Sequence, residues 1–211
     1  MRAPAVQEPT AQPPAQGRPA PAARPGGALP YADRSSLEAA KVALYRALFA
    51  GREDVFAYRW ANVATGEKGW APRRVPGSAK EDAQFLPLTH QVIAEHLTDS
   101  PQAIGLYVLL PDSTCRLLAC DFDGQTWRLD AVAYVQAALA AGVPAALEVS
   151  RSGEGAHVWI FFSEPVAAAD ARALGAALLR EAMAIRGELG LESYDRFFPA
   201  QDSCRRKASG T

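Results

Sequence analysis

Between Ile104 and Phe198 the sequence alternates runs of strand length with stretches of helical length, and that alternation limits the possible folds more than any other feature. Ile104–Leu110 and Arg116–Asp123 read as consecutive strands across a Pro-Asp-Ser turn. Leu129–Ala141 has helical length and is closed by Gly142. Ala145–Ser150 and His157–Phe162 are apolar runs joined by the glycine-containing segment Arg151–Ala156. A long helix from Ala167 to Ile185 and a last strand over Ser193–Phe198 complete the series. Strand–strand–helix–strand–strand–helix–strand predicts an α/β (α+β) fold, a mixed sheet with helices packed against it.

Upstream, Asp33 or Ser35 is a predicted N-cap for an amphipathic helix running through Leu37, Val42, Leu44, Tyr45, Leu48 and Phe49, with Gly51 as its stop. Val55–Asn62 alternates and is rich in aromatics, Thr65-Gly66 marks a turn, and Lys68–Pro72 is the predicted hairpin partner. Residues 73–84 read as a surface loop, and Thr89 as the cap of a short helix through Leu97. Residues 1–32 hold half of the 16 prolines with much Ala and Gln, too little to bury, so they are expected to form a disordered tail ahead of a domain over residues 33–202. The formal net charge of −1 gives no global basic field, so a polynucleotide would need a local groove. Three cysteines with no CxxC pair argue against a disulfide framework and against structural zinc. No signal peptide and no apolar run long enough for a membrane span are read, so a cytoplasmic protein without membrane attachment is expected.

Three segments carry chemistry. The apolar run Leu117–Cys120 ends in Asp121-Phe122-Asp123. Alternation on a strand sends both carboxylates to one face, where they repel each other unless a cation lies between them. Mg²⁺ favours such carboxylates with phosphate oxygens, and two metals about 3.5–4 Å apart clamp the oxygens of a phosphoryl transfer. Taken alone, a D-x-D is more often a solvated strand end. The segment Ser150-Arg151-Ser152-Gly153-Glu154-Gly155-Ala156-His157 joins hydroxyl and guanidinium donors to backbone amides able to hold phosphate, and sets a histidine at the head of an apolar strand. An isolated histidine there is more often structural. Asp195, beside Arg196 in the last strand, can complete a carboxylate trio, with a surface ion pair as the equally simple reading and Asp202 as a neighbouring candidate.

In this order the segments resemble the motifs of the archaeo-eukaryotic primase superfamily: a strand ending D-x-D, a small-x-His strand and a later strand acid. The resemblance is closer still to the primase domain of TOTE conflict systems. It rests on RALFAGREDVFAYRW, FLPLT, LLACDFDGQTW, PAALEVSRSGEGAHVWIFF and LESYDRFFPAQD, and extends over residues 37–202. It implies a primase-polymerase that adds nucleotides on a template: a catalytic core with an RRM-like sheet and a small N-terminal α/β unit. It implies Asp121, Asp123 and Asp195 as catalytic metal ligands, and His157, Ser150, Arg151, Ser152 and Arg196 around the nucleotide. The implied cofactors are Mg²⁺ or Mn²⁺ in a two-metal site, without zinc. The implied partners are nucleoside triphosphates and a single-stranded DNA or RNA template, with helicase or nuclease modules in the full-length or neighbouring proteins.

The family's cysteine-bearing insertion is missing from residues 72–84. Relatives continue past Gln-Asp with Leu-Pro-Lys-x-Gly-Phe-Gly-Asn, whereas Ser203–Thr211 departs from it. One permitted back-translation of those residues, read from its third base, restores Leu-Pro-Lys-Glu-Gly-Phe-Gly-Asn. Residues 203–211 are therefore expected to be out of frame and the natural domain longer, which coding DNA lacking an open alternative frame would refute. Two other functions compete. A truncated, inactive remnant could bind nucleotide or single-stranded nucleic acid. Asp121-Phe122-Asp123-Gly124-Gln125-Thr126 also resembles, with its threonine one place late, the D-x-D-x-T nucleophile motif of haloacid-dehalogenase-type phosphatases, but no lysine or adjacent acidic pair follows before Asp202.

Overall fold

The computed structural model describes residues 29–78, 83–98, 103–187 and 191–204. Most of the expected tail, part of the 73–84 loop and residues 205–211 lie outside them. The N-terminal unit comprises α1 (Glu38–Leu48), β1 (Ala57–Ala61), β2 (Lys68–Pro72), α2 (His90–His96) and β3 (Ile104–Gly105). The C-terminal unit follows as β4 (Thr114–Asp123), α3 (Trp127–Ala140), β5 (Ala146–Val149), β6 (Gly155–Ala167), α4 (Ala168–Arg186) and β7 (Tyr194–Phe198). Helices and sheets mix as expected, in two sheets ordered β2-β1-β3 and β5-β6-β4-β7. Every strand pairing within them is antiparallel. The second sheet, with α3 and α4 as its crossovers, is the split β-α-β arrangement and gives the RRM-like sheet.

Alternation along β4 divides the core. Leu118, Cys120 and Phe122 point to α3 and α4, where they pack with Tyr134, Ala138, Val158, Ile160, Leu178 and Phe197. Leu117 and Ala119 point the other way and meet Phe49, Leu106, Val108, Trp159 and Phe161. Phe49, Leu106 and Val108 of the segments before β4 thus cover part of the open sheet face. Asp121 and Asp123, on the same face and further along β4, lie beyond that cover. A separate cluster of Val42, Phe56, Leu88, Ile93 and Ala94 gives the N-terminal unit its own core.

Two local expectations are corrected. Asp33 does not cap α1: its carboxylate accepts from the Ser35 amide at 2.9 Å and from the Ser35 and Ser36 hydroxyls, closing a turn, and Leu37 stands at the N-cap without a side-chain cap. The strand expected over Ile104–Leu110 pairs only at Ile104–Gly105. Beyond it the Tyr107 carbonyl accepts from the Arg52 amide and the Leu110 amide donates to the Thr114 carbonyl, so these backbone groups serve loops and a turn instead of a ladder. Thr89 does cap α2, accepting from the Val92 amide at 3.3 Å.

Candidate active site

The two acids of β4 sit in a continuous row across the sheet. Asp121 faces His157 on β6 and Arg196 on β7, and His157 in turn faces Glu148 on β5. Asp123 faces Gly155. The β4–β7 register shifts between Asp121 and Phe122, so Asp195 is an extra residue on β7. Such a bulge re-aims a side chain, and here Asp195 joins the acids of β4. One oxygen each from Asp121, Asp123 and Asp195 lies within 4.8 Å of the others. Asp202 is drawn away to α4, where it accepts from Arg172 Nε at 2.6 Å.

Two glycines shape the end of β4. Gly124 takes φ 90° at the turn into α3, a conformation that side-chain-bearing residues rarely adopt. Gly155 leaves room for the Asp123 carboxylate: a Cβ there would stand 2.3 Å from Asp123 Oδ1 and 2.8 Å from the Phe122 carbonyl oxygen. The loop before it turns on backbone bonds from the Ser150 amide to the Gly155 carbonyl (2.8 Å) and from the Gly153 amide to the Ser150 carbonyl (2.9 Å). Ser150 and Ser152 share a hydroxyl hydrogen bond of 3.0 Å, and Arg151 is exposed. Pairing of Gly155 with Asp123 brings this loop to the acidic end of β4.

Burial pushes the Asp121 carboxyl up from its ordinary range; His157 and Arg196 oppose that shift, while Asp123 and Asp195 add to it. His157 Nε2 lies 3.5 Å from Asp121 Oδ1, and its Nδ1 lies 3.7 Å from Glu148 Oε2. Glu148 chiefly raises the imidazole pKa, against burial and with Asp121. Glu148 is itself held low, foremost by His157, and accepts from Trp159 Nε1 at 2.7 Å. Arg196 Nε donates to Asp195 at 2.5 Å. Three carboxylates face one guanidinium and one imidazole, an excess of negative charge. An all-oxygen donor set of this kind fits a hard divalent cation such as Mg²⁺ or Mn²⁺ better than zinc.

Sequence reasoning missed Glu148 and Asp130. Asp130 on α3 has no solvent exposure, and accepts from Ser193 Oγ (2.6 Å), Thr126 Oγ1 (2.7 Å) and Arg186 Nε (2.8 Å). The Ser193 carbonyl accepts from the Asp123 amide at 2.7 Å. Asp130 therefore ties α3, α4 and the approach to β7 to the last residue of β4. Thr126, the threonine of the phosphatase-like reading, is engaged in that brace. Cys115 and Cys120 are buried thiols of β4, and burial pushes both up in pKa. Among the described residues no helix is long and apolar enough to cross a membrane.

Comparison with curated proteins finds no match. Among solved structures, the chain is similar to the polymerase domain of Mycobacterium tuberculosis Ligase D in complex with DNA, at 14% identity and a TM-score of 0.42, over 71% of this chain and 61% of that one. Residues 40–211 match the family described as TOTE conflict system, Archaeo-Eukaryotic Primase domain. That match spans both sheets and every residue of the acidic row, and by it the chain belongs to the archaeo-eukaryotic primase domain family of TOTE conflict systems.

Proposed function

We propose that the site performs metal-dependent, template-directed nucleotide addition. The observation that carries this reading is the convergence of Asp121, Asp123 and Asp195 at one end of the RRM-like sheet, in a chain of a primase family. When bound, Mg²⁺ or Mn²⁺ supplies positive charge to the phosphate oxygens of the transfer. The three carboxylates hold that charge in place, with Asp121 partly buried and Asp123 open to substrate. His157, its imidazole pKa raised by Glu148, and Arg196 face the triphosphate, and the Ser150–Gly155 loop offers Arg151, two hydroxyls and backbone amides. The substrates in this reading are nucleoside triphosphates and a single-stranded DNA or RNA template.

The test is nucleotide addition on primed and unprimed single strands with Mn²⁺ or Mg²⁺. Wild type should extend or initiate, and an Asp121→Ala/Asp123→Ala protein should do neither. Oligonucleotide binding without addition by wild type under every metal condition would replace this reading with a binding module.

A further inference from the structure

The N-terminal sheet carries a feature that the acidic site does not use. Ile104 packs with the cluster of Val42 and Ile93, and its strand partner is Tyr58, so the Tyr58 side of β1 looks toward the helices. Alternation and register place Arg59, Trp70 and Lys68 on the other side: Arg59 pairs with Trp70, and Lys68 lies two residues before Trp70. Trp70 is 53% exposed although it sits mid-strand. A Cβ on Gly105 would touch its ring at 3.3 and 3.4 Å and the Ala57 Cβ at 3.2 Å. The indole therefore lies across the sheet over a glycine, with one side supported by backbone and much of the ring open to solvent. Arg59 and Lys68 are exposed, and among the described residues neither forms a salt bridge. No acidic residue occurs in β1, β2 or β3.

We propose that Trp70, with Arg59 and Lys68, forms a stacking platform that binds a single-stranded nucleic acid. An exposed aromatic offers its π-face to any base, and cations beside it attract the phosphates of the same strand without reading sequence. A hydrophobic protein partner would leave both cations to be desolvated without acids to pair, so charge complementarity favours a polynucleotide. The platform builds on the nucleotidyl-transfer reading by giving the template a holding surface apart from the acids, and its test is separable from that reading.

The experiment is fluorescence anisotropy of a labelled oligo-dT with the full chain across a salt series. Trp70→Ala should weaken binding about fivefold or more, the range of one lost base–aromatic stack, while Trp70→Phe retains most of it. Arg59→Ala and Lys68→Ala should each lower the slope of log affinity against log salt by about 0.7. Thermal melting should show Trp70→Ala folded, and Asp121→Ala/Asp123→Ala should still bind the oligonucleotide. Equal binding by wild type and Trp70→Ala, or no binding by wild type, overturns the platform while leaving the metal site to its own assay. A dimer that Trp70→Ala converts to monomer with unchanged oligonucleotide binding also overturns it and assigns the face to a second copy of the chain.

Discussion

Gly155 lies directly opposite Asp123 across the β4–β6 ladder, and a methyl group on it would come within 2.3 Å of the Asp123 carboxylate. The carboxylate can swing aside, but the Phe122 carbonyl at 2.8 Å belongs to the ladder and cannot. Gly155→Ala should therefore cost about 1–3 kcal/mol of stability by overpacking, and should displace Asp123 from the trio. Urea unfolding gives the first effect and Mn²⁺ titration the second. Unchanged Mn²⁺ affinity in a folded Gly155→Ala protein would show that Asp123 tolerates the shift.

Asp121 suggests a trade between stability and metal binding. Its carboxyl is raised by burial first, so above the ordinary carboxylate range of about pH 4 the unfolded chain ionises more readily than the native one. That difference weakens the metal-free fold as pH rises, until the native group ionises as well. Asp121→Asn removes the penalty and should melt at the same temperature as wild type or higher without metal. Wild type should gain about 2.7 kcal/mol with free Mn²⁺ at a hundredfold its dissociation constant, and Asp121→Asn much less. Thermal melts with and without Mn²⁺ separate the two effects, and equal metal stabilisation of both proteins would remove Asp121 from the ligand set.

Much of this site is legible from strand parity. The apolar run into Asp121-Phe122-Asp123 places both acids on one face, and the structure pairs them with His157 and Gly155 as neighbours on β6. The sequence leaves the third acid open between Asp195 and Asp202, because no local pattern announces the bulge that brings Asp195 near the acids of β4 or the hold of Arg172 on Asp202. Glu148 reads as one polar residue in an edge strand until register sets it beside His157. Asp130 reads as a surface acid on an Ala-rich helix, because Arg186 and Ser193 are 56 and 63 residues away in sequence. Parity is a local property; partners brought together by crossovers are not.

His157 should titrate above its ordinary range in the metal-free protein, and Glu148 is the first cause. Raising a histidine pKa means that its contribution to stability is fully present below the unfolded value of about 6.5 and is lost as pH rises through the folded value. Glu148→Gln keeps the shape and a hydrogen-bond acceptor for Trp159 but removes the charge. Its His157 midpoint should fall relative to wild type, followed by NMR of the imidazole C–H signals. With it should fall the upper pH limit of nucleotide addition, if the cationic ring faces the triphosphate. An unmoved midpoint would leave Asp121 as the partner that sets the histidine.

Asp130 gives the opposite pH signature. Burial alone would raise its pKa, but hydrogen bonds from Ser193, Thr126 and Arg186 hold it below the ordinary carboxylate range. A depressed carboxylate adds stability above its unfolded pKa of about 4 and loses it as pH falls through the folded value. Asp130→Ala should cost roughly 2–4 kcal/mol at neutral pH, since it strips a buried partner from a guanidinium and two hydroxyls. Asp130→Asn keeps the volume and should flatten the loss of stability below pH 4 seen in wild type. Because Ser193 also receives the Asp123 amide, both variants should weaken Mn²⁺ binding even where they remain folded. Urea titrations from pH 3 to 7, paired with Mn²⁺ titration at pH 7, check both consequences. A destabilised Asp130→Asn with wild-type metal affinity would confine the brace to the fold, whereas loss of both would tie the acidic trio to the helix layer behind the sheet.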